Sequence, residues 1–346
     1  MHRLRKGALA MTTPTDGAGP DVPLVSLDDI RAAARRIEGV ALRTPLVEFA
    51  AGPPRILLKA ESLQSIGAFK IRGAYNAIAQ LTTEERSRGV VAHSSGNHAQ
   101  GVARAARLLG VRAVVVMPSD APIVKRRRVE ADGAEIVIVG IESDERVAMA
   151  ERLAAERGLV PVVPFDDDRV IAGQGTVGLE IAEAVDDLDL VLVPIGGGGL
   201  ASGVAAAVRA VRPSARIVGV EPELAADAAE SLREGHIVRW DGALTARTIA
   251  DGTRTQAIGR RPFAHLSRLM DDVVTVAERE IAVAMRLAAE QARLMVEPSG
   301  ALGLAAAIFR AEALGLAAMR GTVVAVVSGG NVDPERYRSL LDAPPD

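Results

Sequence analysis

The sequence predicts an α/β protein built on parallel sheet with helices on both faces, and three observations carry that prediction. Short runs rich in Val, Ile and Leu alternate from residue 55 onward with longer segments of helical period, the rhythm of consecutive β-α units. Several runs end in Gly, Ser and Asn clusters that open the next helix, where open parallel sheets bind ligands. The length of 346 residues suits two domains better than one small core.

Residues 1–23, rich in Thr, Gly, Pro and Asp, are expected to form a disordered leader. Ser26 is placed to cap a helix running to Glu38, with Asp28 and Asp29 complementing its positive end. A strand at Arg55–Lys59 precedes a glycine turn and a helix over Ile71–Leu81. The spacing then predicts strands at Gly89–His93, Arg112–Met117, Ala134–Val139 and Leu159–Val163, separated by helices at Gly96–Leu109, Ala121–Ala131 and Ser143–Arg157. Beyond Phe165 the rhythm resumes with helix Gly175–Ala184, strand Asp189–Pro194, helix Leu200–Val211 and strand Arg216–Glu221. Leu224–Gly259 reads as irregular, followed by helices at Glu278–Leu294 and Pro298–Leu314 and a buried strand at Thr322–Val327. Residues 89–161 are expected to form a small domain inserted into a large cofactor-binding domain made of 24–88 and 162–346.

Composition narrows the function. With 41 basic and 44 acidic residues the net charge is -3, and aromatics are 2%, so neither nucleic acid nor an anionic membrane is an expected partner. The basic run Lys125–Arg128 reads as a solvated helix end. Cysteine is absent, which excludes disulfides, thiolate nucleophiles and cysteine-ligated metals. No apolar run approaches the roughly 20 residues needed to span a bilayer. A cytoplasmic enzyme acting on a small molecule, and assembled as a homodimer, is the expectation.

Three loops and one lysine carry the candidate chemistry. Lys70 stands between a glycine turn and a helix start, where the positive helix end disfavours an ammonium and lowers its pKa. Gly196, Gly197, Gly198 and Gly199, followed by Leu200, lie between a strand and a helix, so backbone N–H groups can crowd an anion without Cβ obstruction. The loop Ser94, Ser95, Gly96, Asn97 and His98 offers hydroxyl, amide and helix N–H donors suited to a carboxylate. Ser328 offers one neutral hydroxyl at a strand end, and His98 is read as structural.

In order along the chain, Glu61-Ser62, Gly67-Ala68-Phe69-Lys70-x-Arg72-Gly73, Ser94–His98, Ala172–Thr176, the four glycines, Thr248–Gly252, Glu297–Gly300 and Ser328–Asn331 resemble the threonine dehydratase and serine racemase family of fold type II pyridoxal-phosphate enzymes, over about residues 26–335. The resemblance implies two open, twisted, mainly parallel sheets with helices on both faces, like tryptophan synthase beta. It implies that Lys70 bonds the cofactor aldehyde and then serves as the base at Cα, and that Phe69 lies beside the ring. Asn97 would meet the ring hydroxyl, Ser328 the pyridine nitrogen, Gly196 to Leu200 the phosphate, and Glu297 would line the cofactor pocket. Ser94 to His98 would hold the substrate carboxylate, with Ser95 on the cofactor face opposite Lys70. Glu221, the Ala225 carbonyl and Asp227 match a Mg²⁺ or Ca²⁺ site of hard oxygen ligands.

The implied reaction is dehydration of L-threonine or L-serine to 2-oxobutanoate or pyruvate plus ammonia. Serine racemisation through Ser95 and dehydration of 3-hydroxyaspartate, with Arg146 toward the second carboxylate, stay open as alternatives, as does a catalytically silent amino-acid sensor. Ala68 departs from the Ser of many members, and Phe165 stands where serine racemases tend to have Asn. The chain beyond Asn331 is too short for a regulatory domain, so feedback inhibition by isoleucine is not expected.

Overall fold

The structure, a computed structural model, describes residues 22–50, 54–94, 96–121, 123–141 and 143–342. The expected leader thus lies outside the described residues except at its last two positions, and Ser95 lies outside them as well.

Among the described residues ten strands are arranged in two sheets: β1 Leu46–Ala50, β2 Arg55–Ala60, β3 Val90–His93, β4 Ala113–Pro118, β5 Glu135–Val139, β6 Val160–Pro161, β7 Leu188–Pro194, β8 Arg216–Pro222, β9 Asp272–Val276 and β10 Thr322–Val327. The larger sheet has the order β1-β2-β10-β7-β8-β9 and the smaller β5-β4-β3-β6. Every neighbouring pair is parallel except β1 with β2. The expected architecture of two mainly parallel sheets is therefore the observed one.

Burial explains why these strands are continuous apolar runs. All six residues of β10 and of β4 are buried, because helices cover both faces. On the larger sheet, Glu278–Ala292 and Pro298–Phe309 pack on one face. Asp168–Ala184, Gly199–Val211 and Arg260–Leu269 pack on the other. Burying a Val, Leu or Ile contributes about 1.5–3 kcal/mol, more than the roughly 1 kcal/mol span of strand propensities, so burial decides where the strands form.

Several boundaries differ from the sequence expectation. The helix expected from Gly175 begins at Asp168, capped by the Asp167 carboxylate on the Arg169 N–H at 2.7 Å. Its internal glycines hide this start, since Gly in a helix interior costs about 1 kcal/mol. They are there for close crossing: a Cβ on Gly173 would come within 2.6 Å of the Gly73 Cα. Helix Lys70–Ala79 can cross at that separation, which fixes where Lys70 begins it. Strand β6 is shorter than expected: Val160 and Val162 donate to Gly89 O and Val91 O, and Pro164, at the next donating position, cannot. The half-buried edge strands β1 and β9 and the helix Arg260–Leu269 were not expected, and the helix from Pro298 ends at Phe309 rather than Leu314.

Candidate active site

Helix Lys70–Ala79 is held at its first turn by a buried ion network. Arg72 makes paired 2.8 Å bonds to Glu61 and bonds of 2.6 and 3.0 Å to Glu180, while Lys59 meets Glu180 at 2.5 Å. Two cations face two carboxylates, so burial leaves no net charge unpaired. The chain just before Lys70 is stitched to the loop after β10. Phe69 N donates to Ser328 O at 3.1 Å, Gly330 N donates to Gly67 O at 2.9 Å, and Ala68 bridges Gly329.

Lys70 Nζ donates to Pro164 O at 2.8 Å and lies 5.1 Å from the centre of the Phe69 ring. The residue keeps some solvent contact, yet the protein around its ammonium lowers the pKa to about 8 through desolvation. The direction expected from sequence holds, and burial is a cause that the sequence did not disclose.

The glycine loop follows β7. Gly198 adopts a φ of +90° and precedes helix Gly199–Val211, whose N-terminus has no side-chain cap. The helix therefore keeps free N–H donors at its positive end. A Cβ on Gly197 would lie 2.2 Å from the Phe165 ring, so Phe165 covers the loop directly.

Asn97 opens helix Asn97–Leu109, and its amide donates to Glu297 Oε1 at 2.6 Å. Burial, reinforced by the nearby Asp251 charge, pushes Glu297 up to about 7 despite the opposing Lys125 and Asn97. Ser328 is buried, with its hydroxyl 3.4 Å from Ser299 O. Ser94 Oγ accepts from Gly96 N at 3.1 Å. His98 is buried against Val162 O at 2.8 Å, and burial lowers its pKa to about 3. The ring is therefore neutral and, facing a carbonyl, must donate from Nε2; this is the structural role read from sequence.

Lys125, expected in a solvated run, is instead buried beside this site and bonds Asp251 at 2.9 Å. Burial opposes its charge, but Asp251 and Glu297 outweigh that and hold its pKa above the ordinary lysine value. Its Nζ would be 3.3 Å from a Cβ on Gly96. With Arg128, Asp251, Pro298 and Asn331 it lines a cavity of about 70 Å³. Arg146 lies on the smaller sheet's helix Ser143–Arg157, donating to Ile141 O at 2.7 Å, and its charge reaches His93, which directly precedes Ser94.

A second polar cluster lies at the end of β8. Glu221 and Asp227 are both fully buried, with Ala225 buried in the turn between them. Glu221 accepts from the N–H groups of Ala228 and Ala229 at 3.1 and 2.7 Å. Neither Asp227 oxygen has a hydrogen bond of normal geometry. Burial, and for Glu221 also the neighbouring Asp227, pushes both carboxyls up, Asp227 to about 7. Among the described residues no group of three or more His, Asp or Glu side chains is gathered as a metal site, so any cation here would need backbone or water oxygens as well.

The sequence reading missed Arg72–Glu61–Glu180–Lys59, Lys125–Asp251 and Arg128–Asn331. Charge signs alone cannot pair residues separated by many positions in sequence. Glu61 stands beside Ser62 and Arg72 two residues after Lys70, so no unbroken apolar run announced their burial.

A family model described as pyridoxal-phosphate dependent enzyme matches residues 37–329. The L-threo-3-hydroxyaspartate ammonia-lyase of Saccharomyces cerevisiae is 42% identical over 322 residues, covering 92% of this chain and 97% of that protein. The L-threonine ammonia-lyase of Thermotoga maritima is 43% identical, covering 92% of this chain and 79% of that protein. The solved structure of maize serine racemase superposes with a TM-score of 0.86 at 39% identity, over 92% of this chain and 97% of that one.

Proposed function

This chain belongs to the family of pyridoxal-phosphate dependent enzymes, and within it we propose an ammonia-lyase that removes the β-hydroxyl and amine of a β-hydroxy amino acid, L-threonine or L-serine first. The carrying observation is the placement of Lys70, its pKa near 8, with Phe69 beside it. The residues fit the cofactor. The uncapped glycine loop Gly196 to Leu200 suits the phosphate, Phe69 the ring face, Asn97 the ring hydroxyl and Ser328 the ring nitrogen, with Glu297 behind Asn97. When bound, pyridoxal phosphate supplies an aldehyde for an amine to bond and an electron sink for cleavage at Cα.

The chain's own residues do the rest. At pH 7 a lysine of pKa 8 is neutral in about one molecule in ten, a far larger reactive fraction than an ordinary lysine offers. With the cofactor held there, Lys70 Nζ would be the group placed to take the Cα proton. The backbone N–H groups of Gly96 and Asn97, at the start of a helix, are suited to the substrate carboxylate together with Ser94. His98, neutral and committed to Val162, shapes that loop. Ser328 would present a neutral hydroxyl and no carboxylic acid to the ring nitrogen, so it would supply no proton there, which suits elimination of a β-hydroxyl.

Glu221, Ala225 and Asp227 suit Mg²⁺ or Ca²⁺, because the buried Asp227 oxygens have no hydrogen bond of normal geometry and a cation would supply what they lack. The same reading takes 24–88 with 162–346 as the cofactor-binding domain and 89–161 as the small domain, in a homodimer. Ketoacid detection with L-threonine, L-serine, D-serine and L-threo-3-hydroxyaspartate tests the function. Turnover of the first two that disappears in Lys70→Ala is expected. A protein that takes up no pyridoxal phosphate, or a Lys70→Ala variant as active as wild type, overturns the reading. The maize likeness favours serine racemisation as a second reading, and a chiral assay of L-serine turnover that yields no D-serine removes it.

A further inference from the structure

We propose that Arg128 is a positioning residue, which through Asn331 fixes the direction of the Asn97 amide and so aims its N–H donors at the cofactor ring. The inference rests on the reading that pyridoxal phosphate lies between Lys70 and the glycine loop. Arg128 belongs to helix Ile123–Ala131 beside the smaller sheet, and Asn331 follows β10 of the larger one. Arg128 Nη1 donates to Asn331 Oδ1, and Gln100 Oε1 lies 3.5 Å from the same nitrogen.

The sense of the relay follows from what each group can do. A guanidinium only donates, so Asn331 must turn its oxygen toward Arg128. Its amide nitrogen then faces away and donates to Ile66 O at 2.7 Å and to Asn97 Oδ1 at 2.9 Å. Ile66 O is a backbone carbonyl that only accepts, so two unambiguous groups dictate the same orientation. With its oxygen engaged by Asn331, Asn97 turns Nδ2 the other way, where it meets Glu297. An amide nitrogen carries two hydrogens, so one donor remains for a ring oxygen. Gly67 makes room for the hub, since a Cβ there would stand 2.4 Å from Asn331 Oδ1. The basic run that reads as solvent-facing in sequence thus sends one of its arginines, through Asn331 of the larger sheet, to orient a cofactor ligand that follows β3 of the smaller one.

The holoenzyme variants Arg128→Gln, Arg128→Lys and Asn331→Asp test this, read by the pyridoxal-phosphate dissociation constant, the induced circular dichroism of the cofactor band and the melting temperature. Arg128→Gln, with a side-chain amide able to turn either way, should weaken cofactor binding roughly tenfold and reduce the induced signal. Arg128→Lys keeps a cation that only donates and should restore binding to within about threefold. Asn331→Asp has no donor for Ile66 or Asn97 and should lose the induced signal. If Arg128→Gln binds and orients the cofactor as wild type does, the relay is wrong even where the melting temperature falls, because a simple clamp between the sheets predicts that pattern. Should Asn331→Asp fail to fold, the Arg128 pair decides alone. Wild-type protein that binds no pyridoxal phosphate removes the parent reading and the relay together, whereas normal wild-type binding with an unaffected Arg128→Gln removes only the relay.

Discussion

Arg72 and Glu61, neither with any solvent exposure, meet through two hydrogen bonds of 2.8 Å, and Arg72 lies two residues beyond Lys70. Breaking a buried pair by removing one partner costs about 3–5 kcal/mol, because the remaining charge has no water to turn to. Arg72→Lys does not repair this, since a single ammonium cannot reproduce the fork that also reaches Glu180, Thr176 and Leu42 O. The expected outcome for Arg72→Lys is a loss of stability of several kcal/mol together with weakened cofactor retention. Denaturant unfolding of wild type and variant measures the first, and absorbance after gel filtration the second.

Lys70 gives a pH dependence with a definite sign. Its folded pKa, lowered by burial to about 8, lies below the ordinary lysine value. Cofactor-free protein should therefore capture pyridoxal phosphate faster as pH rises, with the rate levelling above about pH 8 rather than near 10.5. The linked stability has the same sign: between those two values the unfolded chain holds the extra proton, so stability contributed by this group rises with pH across that window. Stopped-flow absorbance from pH 6 to 10 checks the capture rate. A midpoint near 10.5 would remove burial as the cause.

The alternation of strands and helices was legible because fully buried parallel strands leave unbroken apolar runs, as in Thr322–Val327 and Asp189–Pro194. What was illegible follows from partners that lie far away in sequence. The start at Asp168 was masked by glycines whose purpose is a helix crossing at Gly73, and β9 was masked by its exposed edge position. In the candidate site, the backbone-driven parts are those a sequence can propose: Gly196 to Gly199 need no distant partner to suggest an anion cradle. The parts made by pairing could not. Lys125 and Arg128 look like solvated charge until the fold brings Asp251 and Asn331 opposite them.

Gly197→Val tests the cradle. Its Cβ would fall 2.2 Å from the Phe165 ring, far inside contact distance, so Phe165 or the loop must move. Because the helix N–H groups act only through a precisely shaped backbone, displacement should weaken the phosphate more than the fold. The expected result is cofactor affinity down by at least about tenfold with a much smaller change in unfolding midpoint. Titration with pyridoxal phosphate and with inorganic phosphate as competitor measures it, and an unchanged affinity for both would move the anion site elsewhere.

The Glu221–Asp227 pair yields a stability prediction that needs no turnover. Two carboxylates buried together repel and have lost their hydration, and Asp227 has no compensating hydrogen bond of normal geometry. A divalent cation that binds only the folded chain adds stability by mass action, about 2.7 kcal/mol at a hundred times its dissociation constant. Mg²⁺ or Ca²⁺ should therefore raise the melting temperature of wild type, while Na⁺ at equal ionic strength should not. Asp227→Asn removes one of the two charges and keeps the shape. It should melt higher than wild type without added metal, because repulsion and desolvation are both relieved, and it should lose the response to Mg²⁺ and Ca²⁺. Thermal denaturation with and without each ion separates the cases. A variant that melts lower than wild type and responds equally to metal would mean that the cation acts at another place and that the buried pair is held by protons instead.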